Sequence, residues 1–199
     1  MPDVTLSIAA LVGSRICHDL ISPVGAIHNG IELIGMGGPI DTPEMQLISD
    51  SVENATARIK FFRIAFGTAS PQQMLGAAEI ARTTAEAFTS GRHKAAWLAE
   101  GDVPRAEVQA AFLALLCIES ALPRGGDITL ERAGDAYVAT GRSERINRDP
   151  ALWEPLAGAA MPDAPRPAHV QFPLLTLALK ALDRRIEIAE IPGELTLRF

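Results

Sequence analysis

The sequence predicts an α+β fold: an N-terminal antiparallel helical hairpin forming a dimeric four-helix bundle, then a C-terminal α/β sandwich. Three observations lead there. Apolar residues recur at helical spacing from Leu6 to Ile34 and again from Met45 to Phe66, with the loop GMGGPID between the two runs. After Gly67 the pattern changes, and short helical stretches alternate with stretches that read as strands. Two long helices joined by a short loop cannot enclose a core alone, and pairing two hairpins is the usual solution, so a homodimer is expected.

The first helix is expected to start at an Asp3 cap and to carry Leu6, Ala9, Val12, Ile16, Leu20, Val24, Ile27, Ile31 and Ile34 on one stripe. Pro23 lies inside it and removes the hydrogen bond to the carbonyl of Asp19, which predicts a kink or a loosened turn there. Thr42 as a cap and Pro43 at the first helical position open the second helix. Its apolar positions Met45, Ile48, Val52, Ala55, Ile59, Phe62 and Phe66 step by three and four residues, as a bundle seam does. The hairpin unit takes residues 1–69 and the sandwich 70–199.

Along the second unit a helix is expected after SPQQ to about Ser90, then a strand in HKAAWLA. Pro104 opens a helix carrying Val108, Phe112, Leu115, Leu116 and Leu122, and PRGGD turns the chain into two antiparallel strands in ITLERAGDAYVATG. PALWEPLAG reads as a short helix, MPDAPRP as a loop and AHVQFPLLTLALKAL as a helix. RRIEIAE and GELTLRF close the chain as a strand pair around a Pro-Gly turn. Helices mixed with mostly antiparallel strands give the sandwich.

Composition narrows the function. The chain has 199 residues, 48% of them hydrophobic, and a net charge of -6. That acidic balance offers no general surface for nucleic-acid phosphates. Cys17 and Cys117 stand alone, with neither a CxxC pair nor a histidine cluster, so no zinc site or disulfide framework is expected and a reducing, cytoplasmic setting fits. No apolar stretch approaches the roughly 20 residues of a membrane span, and the opening run lacks a basic segment before it, so no membrane association is expected.

His18 is the residue with chemistry to offer. On a helix it shares a face with Ser14, Arg15, Ser22, Gly25 and Asn29, all small or polar, while the apolar stripe lies opposite. A neutral imidazole exposed in this way is a competent nitrogen nucleophile near neutral pH. Asp19 is placed to take the ring proton or hold the tautomer, and Arg15 to offset charge on an incoming phosphoryl group. Spacing alone does not separate this from an ordinary solvated histidine. His28 reads as an ordinary polar residue off the His18 face, His93 and His169 as solvated or capping residues, Cys17 as a small packing residue, Trp97 and Trp153 as core anchors, and Arg142, Arg145 and Arg148 as a solvated basic loop.

His18-Asp19-Leu20-Ile21-Ser22-Pro23 matches the H-[DE]-x-x-[ST]-P pattern of the dimerisation and phosphotransfer helix of sensor histidine kinases. The longer run CHDLISPVGAIHNGIELIG resembles the ChpT-type histidine phosphotransferases of alphaproteobacterial phosphorelays. The resemblance implies a dimer with a central bundle, a reactive His18 on each outer face, and a C-terminal domain like the kinase ATPase domain that binds no ATP. The kinase turn T-P-x-G-G survives as Leu122-Pro123-Arg124-Gly125-Gly126. Cys117 stands where the key asparagine would fall, with Leu113 and Ala114 beside it. Of the D-x-G-x-G motif only Gly141 remains, Ala139 replaces the nucleotide-reading aspartate, and no glycine-rich lid follows. Such a domain has neither a magnesium ligand nor a backbone cradle for ATP.

What the resemblance implies in chemical terms is phosphoryl transfer in two steps. His18 attacks an aspartyl phosphate on the receiver domain of a hybrid histidine kinase, then passes the group to a response-regulator receiver. No intrinsic cofactor is expected, and magnesium would come with the partner receiver domain. Ser22, Gly25 and Asn29 would let a receiver helix pack closely, with Leu20 and Ile21 adding apolar contact. An ATP-dependent histidine kinase core and a non-catalytic dimeric scaffold that binds receivers remain the alternative readings.

Overall fold

The computed structural model describes residues 4–35, 43–70, 72–89, 91–159 and 166–199. The expected Asp3 cap, the loop through Thr42 and most of MPDAPRP fall outside them. Helix α1 (Val4–Gly35) and helix α2 (Pro43–Ala65) pack together as the hairpin. Pro43 stands at the first helical position of α2, where its missing N–H costs nothing. Helix α1 runs unbroken through Pro23.

The remainder folds around a five-stranded sheet. Strands β2 (His93–Trp97), β4 (Gly126–Ala133), β5 (Ala136–Arg142), β7 (Glu194–Arg198) and β6 (Glu187–Ile191) lie in that order. All neighbours are antiparallel except β2 and β4, which are parallel because helix α4 (Arg105–Ala121) crosses between them. Helix α3 (Ala77–Ala87) packs on α2 and β2, while helices α5 (Pro150–Leu156) and α6 (Gln171–Ala181) pack together, α6 lying on α4. A small antiparallel ribbon of β1 (Met74–Leu75) and β3 (Val103–Pro104) joins the parts; its strands are too short to read from sequence. Asp149 caps α5 by accepting from the amide of Ala151 at 3.1 Å, with Pro150 next to it.

Helix α4 is apolar around its circumference and is buried from Ala110 to Ile118, so it is the axis of the core. Phe112 on α4 stacks on Phe61 of α2, ring centroids 4.3 Å apart. Phe88, Trp97 and Tyr137 extend this aromatic cluster. The C-terminal end of α2 is therefore part of the sandwich core. Its last carbonyls are capped from α4: Arg105 donates to Arg63 and Thr68, and Gln109 donates to Ala65 and Gly67. Those interactions satisfy acceptors that a helix end leaves open.

This corrects the single seam expected on α2. Phe62 is buried in the core, not in the bundle, while Met45, Val52 and Ile59, seven residues apart, are exposed, Ile59 by 52%. Ile48 and Ala55 are half-buried. One three-and-four pattern serves three surfaces, because a straight helix drifts relative to a strict seven-residue repeat. On α1 the stripe divides likewise: Ile16, Leu20 and Ile27 are half-covered, and Val24 and Ile31 lie open.

The retained Gly-Gly turn has a backbone reason. Gly125 and Gly126 have φ of 90° and 151°, and a Cβ on either would run into the carbonyls of Arg92 and Arg142 respectively. The turn holds β4 between the start of β2 and the end of β5, a task independent of any nucleotide.

Candidate functional site

His18 projects from the middle of α1 with 84% of its side chain exposed. Its Nδ1 lies 3.1 Å from Oδ1 of Asp19. A carboxylate only accepts, so Nδ1 is the donor in this contact, and in the neutral ring the lone pair is left on Nε2. Asp19 itself is 8% exposed, and its Oδ2 accepts from Nε of Arg15 at 2.9 Å. Arg15 in turn donates from Nη1 to the carbonyl of Ala168, in the 3-10 turn Pro167–His169 that precedes α6. The site is thus an exposed ring on a half-buried ionic support.

The residues expected around His18 separate into two groups. Ser22, Gly25 and Asn29 are exposed on the same face, and nothing lies within 4 Å of where a Gly25 Cβ would stand. Ile21 is open and Leu20 half-buried at the edge. Arg15 is not on the open face: its side chain is only 14% exposed and is engaged inward.

Beside this face, a cleft of about 350 Å³ lies between the hairpin and the sandwich, lined by Asp19, Ser22, Asn54, Arg58, His93 and Glu119. Asn54 and Arg58 escaped the sequence reading because only the packing of α2 against α1 brings them near Ser22. His93 corrects half of its reading: it is buried and not solvated, and its ring caps a helix end, with Nε2 donating to the carbonyl of Leu122, the residue that closes α4, at 2.8 Å and Nδ1 3.8 Å from Glu119. Glu119 also faces Arg58 at 4.0 Å.

His169 sits in the turn that receives Arg15. Burial lowers its pKa from the ordinary value, Arg166 and Arg15 act in the same direction, and Asp149 opposes them. His28 is exposed beside Glu32, and Cys17 is exposed instead of packed. Trp97 and Trp153 are buried, as core anchors should be. In the basic loop Arg142 and Arg148 pair with Glu194 and Glu190.

The positions that the resemblance matches to kinase nucleotide ligands carry buried apolar side chains. Leu113, Ala114, Cys117 and Ala139 are fully or almost fully buried, and a Cβ on Gly141 would collide with Ile118. Burial pushes the Cys117 thiol well above its ordinary pKa, with the Arg15 charge acting weakly against it. Among the described residues no group of three or more His, Cys, Asp or Glu side chains is arranged to hold a metal ion, and no helix is long and apolar enough to cross a membrane.

The histidine phosphotransferase C-terminal domain matches residues 77–192. The protein phosphotransferase ChpT of Brucella abortus (strain 2308) is 38% identical over 182 residues, covering 87% of this chain and 85% of that one. A solved bacterial phosphotransferase structure superposes with a TM-score of 0.83 at 32% identity, covering 97% of this chain and 95% of the other. With that domain spanning α3 to the β6–β7 turn and a curated relative matched nearly end to end, the chain belongs to the histidine phosphotransferase family.

Proposed function

We propose that this chain is a phosphorelay histidine phosphotransferase that carries a phosphoryl group between receiver-domain aspartates as phospho-His18, without binding ATP. The observation that carries the reading is the solvent-exposed imidazole held through Nδ1 by the Asp19 carboxylate. Nε2 attacks the phosphorus of an aspartyl phosphate on a hybrid kinase's receiver; the N–P bond forms as the P–O bond to the aspartate breaks, and its electron pair leaves on the carboxylate. Asp19 balances the positive charge on the ring. The reverse sequence delivers the group to the aspartate of a response-regulator receiver. The magnesium ion belongs to the receiver's acidic pocket and not to this chain.

Receivers dock on the open face of Ser22, Gly25 and Asn29, with Ile21 and Leu20 at its edge. The working unit is a homodimer: Val24 and Ile31 on α1 and Met45, Val52 and Ile59 on α2 are the apolar residues that a second hairpin covers in a four-helix bundle. Residues 1–69 act as the dimerisation and phosphotransfer unit and 70–199 as a degenerate ATPase-like domain. The buried side chains at 113, 114, 117 and 139 support a carrier over an ATP-dependent kinase.

Incubation with a phosphorylated receiver, beside a His18→Gln variant, tests the proposal. Acid-labile label on the parent chain and none on the variant supports it. Receiver binding with no label on either, across several receivers, leaves only a scaffold.

A further inference from the structure

We infer that Arg15 is a positioning residue: anchored on the carbonyl of Ala168, it holds the Asp19 carboxylate so that the ring of His18 keeps Nε2 outward. The inference rests on the phosphotransfer reading of His18. It departs from the expectation that Arg15 meets the incoming phosphoryl group, because its guanidinium is engaged by the Asp19 carboxylate and the carbonyl of Ala168.

The contacts form a continuous chain. His18 is bound to one oxygen of Asp19 and Arg15 to the other, so the carboxylate cannot turn toward either without releasing the second. Arg15 meets Asp19 through Nε and Ala168 through Nη1, two nitrogens fixed in one guanidinium plane, a spacing that the single nitrogen of an ammonium does not reproduce. The far anchor lies in the turn before α6, preset by Pro167. Next to Arg15, Ile16 packs against the same core. The sandwich therefore acts on the reaction through a backbone carbonyl that sets the orientation of the ring on α1. A domain filled at its nucleotide positions keeps a task in this way.

The test uses the full-length chain, with ¹⁵N resonances of the His18 ring read alongside transfer rates. The parent should hold its neutral ring proton on Nδ1. Arg15→Gln should shift the proton toward Nε2 and slow phosphoryl transfer about 10- to 100-fold, the scale of a small misplacement at a reacting centre, while receiver affinity is unchanged. Arg15→Lys keeps the charge and should not restore the rate. Adding Arg15→Gln to Asp19→Asn should cost nothing further, since the two act in series. Full activity of Arg15→Lys, or an unmoved ring proton in Arg15→Gln, overturns the inference. A parent chain whose ring proton sits on Nδ1 but which accepts label from no receiver defeats the phosphotransfer reading instead.

Discussion

Nδ1 of His18 and Oδ1 of Asp19 lie 3.1 Å apart although the two residues are consecutive on α1. Neighbours on a helix point about 100° apart, and Asp19 spans that angle by meeting His18 with one carboxylate oxygen and Arg15 with the other. Replacing Asp19 by Asn keeps the shape, removes the charge and releases Arg15. Single-turnover transfer should fall about 100-fold, within the range of general acid–base contributions, with receiver binding retained. A rate within twofold of the parent would remove Asp19 from the chemistry.

Gly25 separates stability from docking. It sits inside α1 with open space around it, so Gly25→Ala should stabilise the chain by roughly 0.5–1 kcal/mol through helix propensity alone. Gly25→Arg should also fold, yet weaken receiver affinity at least tenfold if a partner helix packs there. Denaturant melts and a binding titration on the same two variants check both statements.

The apolar residues left open on α1 and α2 make the homodimer testable. Ile59→Glu and Val52→Glu place a charge where a second hairpin would bury it. Sedimentation should show a dimer for the parent and monomers for the variants, with α-helical content largely kept. A monomeric parent at micromolar concentration would contradict the bundle.

The joint between the two units is a stability hot point. Phe61→Ala empties a stacked position in the core and should cost about 3–5 kcal/mol. Arg105→Met removes the donors to the carbonyls of Arg63 and Thr68 and should cost roughly 2 kcal/mol. Both variants should lower a single unfolding transition, because α2 shares its core with the sandwich; two separated transitions would contradict that shared core.

His169 supplies a pH dependence with a defined sign. Its folded pKa lies below the ordinary value of about 6.5. As pH falls below about 6.5, the unfolded chain takes up the proton before the folded chain does, so stability declines through that window and is retained above it. His169→Gln should flatten the slope of Tm between pH 7 and 5 relative to the parent. An unchanged slope would show that His169 titrates alike in both states.

The helices, the strand pairs and the exposed face of His18, Ser22, Gly25 and Asn29 are legible because each is written locally. His18 to Asn29 is one helical face, Asp149-Pro150 is a helix start, and β6 and β7 flank a Pro-Gly turn. What was not legible depends on distant residues. Nothing near Phe61 or Phe62 says that they join Phe112 and not a second hairpin, since both destinations want an apolar residue at the same spacing. His93 reads as polar at a strand start, and only the carbonyl of Leu122, 29 residues away, makes its burial tolerable. Arg15 shares the spacing of the His18 face, but its partner Ala168 is 153 residues away and offers a backbone atom, which leaves no mark in side-chain patterns.

The most direct measurement is a two-step relay with purified components. The chain is loaded from a phosphorylated receiver, separated, and mixed with a second receiver, beside a His18→Gln control and a sample given only ATP and magnesium. If His18 is the carrier, acid-labile label appears on the parent chain, moves to the second receiver, and is absent from both the variant and the ATP sample. Label acquired from ATP alone, or on the variant as on the parent, would contradict it.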